Sequence, residues 1–198
     1  MSEQRRHHRP TRPGAAFFET QDGGADPAEV TAAADRAALL LVRGARGADD
    51  ARVADRVVRL ADTEGIDTLA ELWSGAAPDS VAGCLWRLYL LRSWVHADPV
   101  GAAREFDAGR RRAPVAWVVA GVAEPPGPDE LRRMVDHVLR GIAERDFADV
   151  LLRAAAFARV VAAGRSETGA GTEETERVLV LSEQLERAGH LELAGDLG

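Results

Sequence analysis

The histidines and paired acids of this chain are the side chains best suited to do chemistry, and their spacing argues against most of it. His7, His8, His96, His137 and His190 nowhere form the His-Glu-x-x-His or Glu-x-x-His spacing that sets two metal ligands on one helix face. Asp136-His137 has the residue types of a helical phosphohydrolase metal site, but in reversed order and without the partner histidines. On a helical projection His137 lies with Arg133, Arg140 and Glu144, opposite an apolar stripe, which makes it a solvated residue. His7-His8 offers a metal no more than any flexible pair does. Asp49-Asp50 with Asp55 lacks the spacing and the second copy of an acidic diphosphate site. Placed at a helix start, Asp49-Asp50 is explained by capping and by the helix dipole, as is Glu173-Glu174.

Nucleophile and phosphate motifs fare no better. There is no Gly-x-Ser-x-Gly, and the chain has no Lys, so a Walker lysine or a Schiff base is excluded. The Gly-rich stretch Gly164–Gly171 follows a helix rather than a strand and reads as a linker. A single cysteine, Cys84, excludes an intramolecular disulfide and a multi-Cys zinc site. Its position within a helix predicts a small buried hydrophobe. No catalytic residue, metal site or cofactor is assigned.

The arginines are more informative. Leu85-Trp86-Arg87-Leu88-Tyr89-Leu90-Leu91-Arg92-Ser93-Trp94-Val95 is apolar on nearly every side of a helix, which places that helix inside a protein. Arg87 and Arg92 then sit on opposite sides of a buried element, where a charge must be paired. The expected partners are carboxylates: Glu71, Asp98 or Asp107. The alternative is a pocket in which Trp86, Arg87, Tyr89 and Arg92 bind a small anionic ligand. Arg110-Arg111-Arg112 ends another helix, where positive charge is favourable, and can also serve as a partner-binding patch. Trp73 and Trp117 are the aromatic candidates for an exposed interface.

The elements that must position these residues are helices. Of 198 residues 37 are Ala, only Ile66 and Ile142 are Ile, and no alternating strand pattern of useful length occurs. The Arg-for-Lys bias is what a GC-rich coding sequence produces and carries little functional weight. Residues 1–25 read as a disordered basic tail, with Phe17-Phe18 a possible short anchor. The first 13 residues hold four Arg and one Glu, a charge of +3; with −7 overall, the remainder carries −10.

From residue 26 onward one all-helical domain is expected. Asp26-Pro27 opens a helix to about Val42, stopping at Gly44, and a second runs from Asp49 or Asp50 to Gly65. Thr68 and Glu71 form a capping box for a short helix through Trp73. Pro78-Asp79 opens the central helix, residues 79–96. Asp98-Pro99 starts a helix to about Arg111, and Pro114 a short one to Val122. After the Pro125-Pro126-Gly127-Pro128 turn, Asp129–Arg145 carries a clean apolar stripe. Phe147–Ala163 and Glu173–Ala188 follow, then a short Leu191–Ala194 segment. The prediction is all-α: a single bundle-like domain of about eight helices around a central hydrophobic helix.

Residues 49–73 have the outline of a helix-turn-helix, but Leu69-Ala70-Glu71-Leu72-Trp73 presents Glu and apolar groups where base-reading residues belong. With a body charge of −10, this argues against DNA binding, leaving nucleic acid only a weak contact through the tail.

Asp67-Thr68-Leu69-Ala70-Glu71-Leu72-Trp73-Ser74, Leu85-Trp86-Arg87-Leu88-Tyr89-Leu90-Leu91, and Val119-Ala120-Gly121-Val122 with Pro125-Pro126-Gly127-Pro128 together resemble a family of short, all-helical actinobacterial proteins. Some members carry a label borrowed from an RNA polymerase subunit. That label finds no motif here, since the Asp-rich metal loop of the catalytic subunit is absent. The resemblance spans roughly residues 28–165 and implies no established activity, so it brings no catalytic residues with it.

Two functional expectations remain. The first is a non-enzymatic cytoplasmic protein that acts through contacts with another protein, or with a second copy of itself. The second is a ligand-binding or catalytic helical domain built on the Arg87–Arg92 pocket. No run of 18 apolar residues exists, so no membrane span is expected.

Overall fold

The computed structural model describes residues 27–46, 63, 73–113, 128–133, 136 and 147–198. Its ordered elements in chain order are α1 (Pro27–Arg46), α2 (Val81–Ala97), α3 (Pro99–Gly109), α4 (Phe147–Thr168) and α5 (Thr172–Ala194). No strand forms among the described residues. The regular structure of the described residues is all helical, as composition and patterning predict. The expected helices at 49–65, 68–72 and 114–122, most of the one at 129–145, and the tail at 1–25 lie outside the described residues. The tally of about eight helices therefore goes uncounted.

Local chemistry explains the helix ends. The Asp98 side chain accepts from the Gly101 N–H at 2.9 Å, and Pro99 fills the first position of α3, where a missing N–H costs nothing. For α2 the cap is Ser80 rather than Pro78-Asp79: its Oγ accepts from the Gly83 N–H at 3.1 Å. The preceding turn folds back so tightly that a Cβ on Gly83 would lie 1.9 Å from the Ala77 carbonyl oxygen.

Packing overrides local signals at two glycines. α4 does not stop at Ala163 but runs through Gly164 to Thr168, so the segment read as a linker is largely helix. Gly164 is where α3 and α4 cross. A Cβ there would sit 1.6 Å from the Glu105 carbonyl oxygen, and one on Gly109 would sit 1.8 Å from that of Val160. Two facing glycines let the backbones touch, and one turn away Phe106 stacks on Phe157 with centroids 5.2 Å apart. Gly costs a helix about 1 kcal/mol relative to Ala, and the close crossing offsets it. Likewise α5 is one helix through Gly189, where the Leu152 side chain of α4 lies against it, rather than two pieces. The α4–α5 turn uses Gly169 at φ +79, a left-handed conformation suited to glycine.

The core lies where α2, α3, α4 and α5 converge, with Leu85, Leu88, Tyr89, Phe106, Leu151, Phe157 and Leu185 buried. α2 touches all four other helices, but its cover is incomplete: Leu90 remains 38% exposed, and Trp86 and Trp94 are half-buried. α1 is tied to the far end of α5 by Arg43, which donates to both carboxylate oxygens of Glu192 at 2.7 and 3.0 Å. Beyond α5, Leu197 is buried and the Gly198 carbonyl accepts from the Val81 N–H at the first turn of α2, at 2.8 Å. Among the described residues no helix is long and apolar enough to cross a membrane.

Candidate functional site

The four residues of the expected anion pocket point to different neighbours. Tyr89 is fully buried and stacks on Trp73, with centroids 5.9 Å apart and planes 16° from parallel. Arg87 turns to α5, where its Nε donates to Gln184 Oε1 at 2.6 Å, and its Nη1 donates back to the Gly83 carbonyl at 2.8 Å. Burial pushes its guanidinium below the ordinary arginine value, while Cys84 and Asp79 push it back up. Arg92 turns elsewhere again, its Nε donating to Asp136 Oδ1 at 2.8 Å. His96 Nε2 lies 3.2 Å from that same oxygen. Trp86 packs half-buried against the core.

Among the described residues, neither Asp98 nor Asp107 is the carboxylate partner expected for these arginines. Arg92 does take a carboxylate, but from Asp136. Among the described residues Arg87 donates to a neutral amide and a main-chain carbonyl. Asp98 is occupied as the cap of α3, Asp107 pairs with Arg110 at 2.7 Å, and Glu71 lies outside the described residues. The guanidinium of Arg87 is only half-buried and keeps some contact with water, which lowers the cost of meeting neutral acceptors.

The interface candidates also separate. Trp73 is 3% exposed, so the expectation of a surface aromatic there is overturned: its ring completes the stack with Tyr89 and belongs to the core. Trp117 and His137 lie outside the described residues. Arg111 is exposed, and Arg112, also exposed, pairs with Glu167 at 2.8 Å. Among the described residues no group of three His, Cys, Asp or Glu side chains could hold a metal.

Arg112 does border a feature that the sequence reading missed. A groove of about 760 Å³ runs along the α4–α5 hairpin. Its floor is small and apolar (Ala155, Ala156, Ala162 and Ala163 of α4) and its walls are Leu152 and Leu179. Leu179 is 40% exposed, an apolar side chain left partly uncovered on the groove wall. Arg159 spans the groove: it forms an ion pair with Glu186, and its Nε donates to Ser182 Oγ at 3.4 Å. Ser182, fully buried, in turn donates to the Ala155 carbonyl at 3.0 Å. Arg112, Ser166, Thr175 and His190 complete the lining. The sequence signal for this surface was the recurrence of Leu152, Ala155, Arg159, Ala162 and Ser166 at three- and four-residue spacing. Uniform Ala content hid it inside a helix read as apolar on most sides.

Comparison with protein-family models, with curated proteins and with solved structures found no match.

Proposed function

We propose that this protein is a non-enzymatic binding module that holds an apolar helical segment of another protein in the α4–α5 groove. The observation that carries the reading is the groove itself: a concave, alanine-floored channel between two antiparallel helices, with a partly exposed leucine on one wall. Small floor residues allow a visiting helix to approach closely, and apolar anchors at helical spacing are how such grooves recognise their targets. Arg159, held in place by Glu186 and Ser182, supplies a pre-set donor on the path of the segment. The rival reading, a small anionic ligand beside Trp86, Arg87, Tyr89 and Arg92, has less support. Arg92 is already paired, and Tyr89 faces the core.

The test is affinity capture from the native lysate with the wild type, Ala163→Glu and Leu179→Glu, each first checked for an unchanged helical melt. The reading expects a protein retained by the wild type and reduced at least about tenfold by either charge placed in the groove. Equal recovery with all three, or none with the wild type, overturns it. A light-scattering mass measurement on the same samples tells whether the retained segment belongs to a second copy of this chain.

A further inference from the structure

A second cavity lies on another face of α5, separate from the groove and independent of the proposal above. Leu90, Leu91 and Trp94 of α2 line it from one side, and Val178 and Leu181 of α5 from the other, across about 340 Å³. Glu174 and Arg177 of α5 and Arg165 of α4 complete the lining, and Arg165 is held in place by three contacts. Its guanidinium lies 5.1 Å above the Trp94 ring, its Nε donates to Glu105 Oε2 at 2.9 Å, and its Nη1 donates to the Glu174 carbonyl at 3.2 Å.

We infer that this cavity is a binding site for a small, uncharged, mainly apolar molecule carrying one hydrogen-bond acceptor. The volume falls within the range of small-molecule sites, at its lower end. Its walls are apolar apart from Arg165 and the rim, and Leu90 is 38% exposed, so apolar area is left for a ligand to cover. Both cations are matched, Arg165 by Glu105 and Arg177 at the rim by Glu173, and the third charge of the lining, Glu174, is exposed to solvent. An anion would lose its hydration without gaining an unmatched cation, and a cation would meet only the solvent-screened Glu174, whereas a neutral ligand avoids the cost of desolvating a charge. Among the described residues two of the five N–H groups of Arg165 are engaged, which leaves donors to orient an acceptor, and because the guanidinium is already fixed, little ordering is needed on binding.

Three probes of equal chain length separate charge from hydrophobicity: 1-octanol, octanoate and octylammonium. Each is titrated into the full-length protein while the Trp94 indole N–H is followed by NMR, the signal being assigned with Trp94→Phe. The inference expects saturable movement of that signal by 1-octanol, at an affinity at least about tenfold above that of either ion. Leu90→Trp, at a position exposed enough to accept bulk, fills the cavity and weakens 1-octanol at least about tenfold. Leu181→Trp does the same from the opposite wall. No saturable movement by 1-octanol, equal binding of all three probes, or undiminished binding to both filled variants overturns the inference.

Discussion

Cys84 shows how a single side chain can report on the core. It is fully buried in the first turns of α2, and burial pushes its thiol up to about 12, against the opposing pull of Arg87. The thiolate is the reactive form, so this cysteine is inert to alkylation at neutral pH in the native protein. The same shift has a thermodynamic consequence. Below about pH 9 the thiol is protonated in both folded and unfolded chains and contributes no pH dependence. Between about 9 and 12 the unfolded chain releases its proton and the folded chain does not, so stability falls as pH rises, by up to about 1.4 kcal/mol per pH unit. Chemical denaturation of the wild type and Cys84→Ala from pH 7 to 11 should show this slope only in the wild type; parallel curves would refute it. The burial of Cys84, and the need to satisfy Arg87 and Arg92, were legible in the sequence. Their partners were not, because Gln184 and Asp136 lie 97 and 44 residues away and no local rule selects them. Trp73 shows the same limit: a tryptophan's type suits a core or an interface equally, and only the position of Tyr89 decides between them.

Between helices, the decisive contact is the meeting of Gly109 and Gly164. Gly164→Ala would drive a methyl group into the Glu105 carbonyl, so α3 and α4 must separate and the Phe106–Phe157 stack must loosen. The expected cost is about 1–3 kcal/mol, the opposite of the gain that Gly→Ala usually brings inside a helix. Gly109→Ala should cost a similar amount. Because both substitutions demand the same separation, the double variant should lose less than the sum. Urea denaturation of the three variants checks the sign and the coupling together. Helix starts such as Asp98-Pro99 were readable because capping is a matter of neighbouring residues. Gly164 and Gly189 were misread as breaks because a glycine tolerated for close packing looks, in sequence, like one placed to end a helix.

For the molecule as a whole, two long-range links matter beyond the apolar core. The first joins α1 to the end of α5 through Arg43 and Glu192. The Glu192 side chain is only 2% exposed, while that of Arg43 is 36% exposed. Arg43→Ala strips a buried carboxylate of its bidentate cation, at an expected cost of about 2 kcal/mol, below the fully buried case because solvent reaches the arginine. Arg177→Ala, which removes an exposed pair with Glu173, should cost no more than about 0.5 kcal/mol. Thermal melts of the two variants side by side test that contrast, and equal losses would show that the Arg43 link does not hold α1 in place.

The second link is the bond from the Val81 N–H to the Gly198 carbonyl, with Leu197 buried beside it. A nascent chain emerges from the ribosome in sequence order, so residues 81–97 are free long before residues 197–198 exist. Until translation reaches them, α2 lacks a partner for its first N–H and its neighbour α5 is incomplete. The final packing of α2 therefore waits until residues 197–198 have been made, and in that interval its apolar surface is open to a chaperone.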